Sequence, residues 1–479
     1  MIKYEHKKKY EHKKLFFICV LMILTVYVFG LTRAVKDTLV ISALGVEVIT
    51  TLKLYGTLPV TIIIILTYTN LLKKVKKATI YHSMNLFFSL FFLIYAFFIY
   101  PNAESLNIKL EPHFMREIRA DWYFLRYLVI VGSNWTHSLF YIIAELWGSV
   151  MLMLLFWQIV NQTTDVKQAK KVYPVIMLVG QIGMVASGET IQYFANFDLY
   201  DAWDQTFHYL ILTIVFLSVL ISLTFLYLSR FIVGINNINQ VQQAIYPSQD
   251  NLISNLQLVF SSRYTILIMA LIFCYAFTSI LVESIWKSIV RSSYPDPIDY
   301  SNFMGHIQTY TAVTSMIFML ISAYLMRFIT WKAASLITPI VIFITTTAFF
   351  SALIYCDYVS QDGTNVESIG MISIAIFFGA IQNIFSRSCH AFFDPTKEIA
   401  FIPLPEPLRS ISKAFDILTL RLGKAGGAFI QWIMLSFIPG SSLLTLVPNV
   451  FLIMILITAV WLLSVMALSY EFNNKIYQK

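Results

Sequence analysis

Apolar residues come in long blocks along this chain. A membrane-spanning helix needs about 20 predominantly apolar residues. Stretches of that kind recur near 15–32, 55–72, 82–100, 136–160, 173–195, 207–228, 264–282, 306–327, 335–355, 367–386, 415–439 and 447–470. The pattern predicts an all-α polytopic membrane protein with twelve transmembrane helices. Two stretches are less uniform: the eleventh contains Arg421 and Lys424, and the fourth follows a partly apolar segment, 122–134.

The polar segments between the blocks give the expected orientation, because cytoplasmic loops carry an excess of Lys and Arg. With the N-terminus cytoplasmic, the inner segments hold 23 of the 34 basic residues and the outer segments nine, with the last two inside the eleventh stretch. The outer segments 196–206, 356–363 and 439–446 hold none. Both termini are therefore expected in the cytoplasm. The expected organisation is a basic N-terminus over 1–14, a first six-helix half over 15–228, a central cytoplasmic linker over 229–263, a second six-helix half over 264–470, and a tail over 471–479. Two six-helix halves make a major-facilitator-like layout, with a substrate site between the halves near the bilayer midplane.

Composition agrees with this class. The chain is 58% hydrophobic with a mean hydropathy of +0.71, and 13% charged, against about a quarter in soluble domains. Its net charge of +8 marks inner loops in this class and does not call for a nucleic-acid partner. The cysteines Cys19, Cys274, Cys356 and Cys389 lack the spacing of a disulfide framework or a zinc site. The opening MIKYEHKKKYEHKK resembles the basic region of a signal peptide, but no small-residue cleavage site follows 15–31, so a retained first span is expected.

Ionisable residues in or beside the apolar blocks are costly, about 2.5–3.5 kcal/mol each at a helix centre, and are functional candidates for that reason. They are Lys36 and Asp37 in RAVKDTLV, Glu145 in IAELWG, Glu189, Glu283 and Lys287 in LVESIWK, and Arg421 and Lys424 in RLGKAGG. Each has a plainer reading beside the functional one. Lys36 suits an interfacial anchor, Glu145 a buried carboxylate held by a neighbour, and Glu283 with Lys287 a local pair four residues apart. Gly423, Gly426 and Gly427 around Lys424 suit either close backbone approach to a phosphate or a close helix crossing. The crossing would leave Lys424 and Arg421 unexplained. Buried charge of both signs suits a carrier whose own ion pairs exchange partners with a charged substrate. There is no GxxxxGK[ST] and no GxGxxG after a strand, which disfavours an ATP-hydrolysing pump.

Several strings go further: RAVKDTLV, TLKLYGTLP, AELWGSVMLMLLFWQ, LVESIWK, YLMRFITWKAASLITP, FFDPTKEIAFIPL and RLGKAGGAFIQ. Over about 31–431 the chain resembles the ATP/ADP translocases of rickettsiae, chlamydiae and plastids. The resemblance implies exchange of external ATP for internal ADP across the bacterial inner membrane, with no hydrolysis and no cofactor. It implies transport roles for four charged positions, which fall on Lys36, Glu145, Glu283 and Lys424. Arg421 would assist, with Asp37, Lys287, Gly423, Gly426 and Gly427 in support. The sequence departs from the family pattern at Cys389–Ala391, at Ser410–Asp416 and at Ala425, which bears on which nucleotide is carried. The expected partners are nucleotides and the lipid bilayer; the oligomeric state is open. Competing readings are an exchanger of GTP/GDP or of CTP and UTP, a membrane enzyme built on His390 and Asp394, and a receptor that moves nothing.

Overall fold

The computed structural model describes residues 2–164, 166–197, 202–233, 260–362, 365–438 and 440–477. Among these the fold is all-α. Ten helices are long and apolar enough to cross a membrane. Two further helical segments, over 48–74 and 406–437, occupy the places of the second and eleventh expected spans. In chain order the rods are α1 (Ile2–Leu44), α2 (48–74), α3 (Lys77–Leu106), α4 (Trp135–Asn161), α5 (Val166–Ala195), α6 (Ala202–Tyr227), α7 (Arg263–Ser293), α8 (Pro297–Leu325), α9 (Trp331–Asp362), α10 (Asn365–Ser388, continued by His390–Phe401), α11 (Glu406–Phe437) and α12 (Val447–Tyr477). The expected central linker, 229–263, falls largely outside the described residues.

The first rod differs most from the sequence pattern. The apolar block stops near residue 32, yet α1 continues through RAVKDTLVIS to Leu44. At 1.5 Å per residue its 43 residues far exceed a hydrocarbon core of about 30 Å. The helix persists because its charged turn is satisfied inside the protein: Lys36 and Asp37 are each 4% exposed and ion-paired. Lys36 is therefore not the interfacial anchor of its plainer reading. α1 ends at Gly45, whose φ of +89° is open to glycine at little cost and whose N–H donates to Ile41 O at 3.1 Å. α8 starts as its sequence dictates: Asp296 caps the amide of Ile298 at 2.7 Å, and Pro297 occupies the first turn.

Lipid is as apolar as a Leu side chain, so small residues and close backbone approach bring membrane helices together. α5 crosses α8 at Gly188 and Gly305. A Cβ on Gly188 would lie 2.8 Å from Gly305 O, so the helices touch backbone to backbone. Large apolar side chains point outward on regular helical faces, as Phe216, Val219 and Leu223 do on α6.

The buried clusters show how the rods are arranged. One unites residues of α1–α6 alone, among them Ile18, Trp147 and Phe225. Another unites residues of α7 and α9–α12 with the segment 401–404, among them Tyr264, Phe393 and Trp461. The third is shared: Val40, Ile41, Ile49 and Leu52 from the first six helices pack with Leu281, Ile285, Leu435 and Leu443 from the last six. This shared core lies at the ends of the rods remote from the chain termini. Toward the termini the two sets keep separate cores.

Candidate functional site: a cationic cavity between the helix sets

Below the shared core lies a cavity that opens to solvent. Five helices line it, each through residues that its periodicity puts on one face. α1 presents Phe29, Arg33 and Lys36; α2 presents Lys53, Thr57 and Thr61; α4 presents Glu145; α7 presents Ile280, Glu283 and Lys287; α11 presents Arg421, Lys424 and Ala425. Two of these helices widen beside it. α2 makes a π-helical turn over Leu52–Thr57, and α4 makes one over Gly148–Phe156. Such turns recur at functional sites because they re-aim side chains that a regular helix would direct elsewhere.

The lining carries six cations and two carboxylates. Asp37 is the hub behind it: one oxygen accepts from Lys36 at 2.8 Å and the other from Lys287 at 2.9 Å. Lys36 also reaches Glu145 at 3.1 Å and lies 4.2 Å from the centre of the Tyr141 ring. Glu283 accepts from Lys287 at 2.8 Å, Arg33 at 2.9 Å and Arg387 at 3.2 Å. Arg421 donates to the Ser149 hydroxyl at 2.5 Å. The pairs Asp37–Lys287 and Glu283–Arg33, with the Arg421–Ser149 bond, join a helix of the first set to one of the last set.

The cavity thus brings together Lys36, Glu145, Glu283, Lys287, Arg421 and Lys424, with Asp37 beside it. It leaves out Glu189, which lies on an exposed face of α5 and accepts from Thr309 at 3.1 Å. It also leaves out the three glycines. A Cβ on Gly423 would meet Phe273 O at 2.7 Å, one on Gly427 Phe277 O at 2.9 Å, and one on Gly426 the Phe273 ring at 3.3 Å. They let α11 cross α7 closely and so carry Lys424 to the cavity wall. They do not cradle a ligand. Glu283 takes Arg33, Lys287 and Arg387 as partners, not Lys424.

Three charged residues at or beside the cavity are not picked out by the sequence pattern. Arg33, Lys53 and Arg387 count there as loop charges, because the apolar blocks end short of them. Lys53 carried a usable signal: with Thr57 and Thr61 it makes a polar stripe at i, i+4 and i+8 along an apolar helix. His390 and Asp394 do not form a constellation. His390 Nδ1 lies 2.5 Å from Arg387 O, and Asp394 faces Lys397 at 4.0 Å. Among the described residues no group of His, Cys, Asp and Glu is placed to hold a metal.

A family model for the TLC ATP/ADP transporter matches residues 6–472. The chain belongs to the TLC ATP/ADP transporter family. It is 32% identical to ADP,ATP carrier protein 4 of Rickettsia felis, over 98% of this chain and 94% of that one. It is likewise 32% identical to ADP,ATP carrier protein 3 of Rickettsia typhi, over 96% of this chain and 94% of that one. Solved structures share the fold at much lower identity. The nucleoside transporter NupG matches with a TM-score of 0.55 at 14% identity, over 95% of this chain and 99% of that one. A D-xylose–proton symporter matches with 0.56 at 12%, over 95% and 97%. Membership of the TLC family makes this chain a multi-pass membrane transporter and not an enzyme.

Proposed function

We propose that this chain exchanges ATP for ADP across the bacterial inner membrane, taking up external ATP and releasing internal ADP with no hydrolysis. The names of its rickettsial relatives support the substrate pair. The observation that carries the reading is the excess of cations in the central cavity, six against two carboxylates. Such a lining suits a polyphosphate anion far better than a neutral sugar or nucleoside.

Exchange follows from the way the charges are paired. In the empty cavity Asp37 and Glu283 tie the two helix sets together through Lys287 and Arg33. Opening the other face would pull these pairs apart and strand buried charges, at a cost of several kcal/mol. A bound nucleotide offers its phosphates to the cations in place of the carboxylates. The loaded carrier reorients, and the empty one stays locked. Transport is then strict counter-exchange, driven by the two nucleotide gradients. The distribution of Lys and Arg supports a cytoplasmic location for both termini. With that orientation, the cavity is closed on the outer side by the shared core and faces the cytoplasm.

Proteoliposomes test this. ATP labelled in its α-phosphate should enter vesicles preloaded with ADP, arrive as intact ATP, and fail to accumulate in vesicles without internal nucleotide. Lys424→Ala should abolish uptake while the protein still reaches the membrane. Equal uptake into empty and loaded vesicles would refute exchange, and near-normal exchange by Lys424→Ala would remove Lys424 from the site. Preference for GTP or CTP over ATP in competition would move the substrate to another base.

A further inference from the structure

We infer that Lys53 is a ligand of the substrate's phosphate chain, acting with Lys424. The inference rests on the nucleotide reading above and assigns it an anchor that the apolar-block pattern does not reveal. Of the six cations that line the cavity, Lys36, Lys287 and Arg33 each have a carboxylate within 3.1 Å, and Arg421 is held by the Ser149 hydroxyl. Among the described residues no carboxylate comes within 4.0 Å of Lys53 or Lys424, and neither donates a hydrogen bond within the protein. An ammonium group left unpaired among membrane helices calls for an anion.

The local backbone supports the same assignment. The π-helical turn over Leu52–Thr57 sets Lys53 on the cavity wall above Thr57 and Thr61. Both threonines spend their hydroxyl protons on the backbone: Thr57 donates to Lys53 O at 2.9 Å and Thr61 to Thr57 O at 2.6 Å. On this wall the protons still free to meet an incoming anion are those of the Lys53 ammonium. Lys53 comes from the first helix set and Lys424 from the last, so one phosphate chain held by both closes a link across the cavity. A free donor on each side is what a di- or triphosphate can exploit and a monophosphate reaches less well.

The test compares wild type, Lys53→Gln and Lys53→Arg, each purified to a single monodisperse species. Binding of ATP, ADP, AMP and inorganic pyrophosphate is measured in detergent, and ATP/ADP exchange in proteoliposomes. Lys53→Gln should bind ATP, ADP and pyrophosphate about tenfold or more weakly, the scale of one charged hydrogen bond. Its AMP affinity should change much less, and Lys53→Arg should recover most of the loss. A purely structural lysine would weaken all ligands alike. Equal loss for AMP and ATP, or ATP and pyrophosphate binding within twofold of wild type, overturns the inference. If wild-type vesicles exchange no nucleotide, the functional reading fails, and pyrophosphate binding still decides whether Lys53 holds an anion.

Discussion

Asp37 on α1 holds Lys287 on α7 at 2.9 Å while its other oxygen holds Lys36, its own neighbour in sequence, at 2.8 Å. A single carboxylate thus bridges two ammonium groups, each with one further carboxylate partner, Glu145 for Lys36 and Glu283 for Lys287, and all three side chains are 6% exposed or less. Removing it leaves two like charges facing each other out of water. Asp37→Asn keeps the shape and deletes the charge, and breaking a buried pair in this way costs of the order of 3–5 kcal/mol. The expected outcome is a clear drop in thermal stability in detergent and loss of most exchange activity, with Asp37→Glu less affected in both. An Asp37→Asn variant with wild-type melting and exchange would show that Lys36 and Lys287 need no shared counter-charge.

The span count and the cost of buried charge were both legible in the sequence, and so were Lys36, Glu145, Glu283 and Lys424 as candidates. The partners of those charges were not. Glu283 and Arg33 are 250 positions apart and meet at 2.9 Å, a relationship that only helix packing creates. The apolar blocks also ended too early. They stop where charges begin, but in α1 the charges are satisfied by other helices, so the helix continues. For the same reason Arg33, Lys53 and Arg387 read as loop residues until the fold put them at the cavity. The glycines near Lys424 were legible as close-approach positions, but not what they approach, which is the α7 backbone.

Glu283 and Glu189 look alike in the sequence, since both are glutamates in or immediately beside apolar blocks. Their surroundings differ. Glu283 faces three cations, whereas Glu189 sits on an exposed face of α5 with Thr309 as its hydrogen-bond donor. Glu283→Gln is expected to reduce ATP/ADP exchange at least a hundredfold, because Arg33, Lys287 and Arg387 lose the one carboxylate they share. Glu189→Gln should exchange within about twofold of wild type. The comparison is made at equal amounts of protein in the vesicles, and equal behaviour of the two variants would remove Glu283 from its central place.

The crossing of α5 and α8 sets a steric prediction. A Cβ at Gly188 would stand 2.8 Å from Gly305 O and 2.3 Å from the Thr309 hydroxyl oxygen, while one at Gly132 would meet nothing within 4 Å. Gly188→Leu should force the two helices apart, with little folded protein recovered from the membrane and a lowered melting temperature. Gly132→Ala, at an open site in the short helix Arg126–Ser133, should be neutral or slightly stabilising. The yield of monodisperse protein after detergent extraction checks both.

Arg126 helps to hold the closed face together. Its side chain is 9% exposed and stacks on the Tyr123 and Tyr127 rings, 3.6 and 4.5 Å from their centres. Its guanidinium donates to Leu435 O at 3.1 Å and Ser441 O at 3.2 Å. These carbonyls lie at and just beyond the C-terminal end of α11, where a cation is favoured by the helix dipole. Tyr123 adds a bond from the other direction, accepting the Gly440 N–H at 2.8 Å. The segment that precedes α4 therefore clamps the end of α11, at the same level as the shared apolar core. Arg126→Ala deletes two charged hydrogen bonds that tie this face together, so it should favour the state open on that side. A reporter cysteine at Ile49, within the shared core, in a chain whose native cysteines are replaced, reads the change. Its labelling by an impermeant maleimide from the face remote from the termini should be about tenfold faster with Arg126→Ala than with Arg126 intact, the scale of one charged hydrogen bond. An unchanged labelling rate would mean that the apolar core alone keeps this face shut.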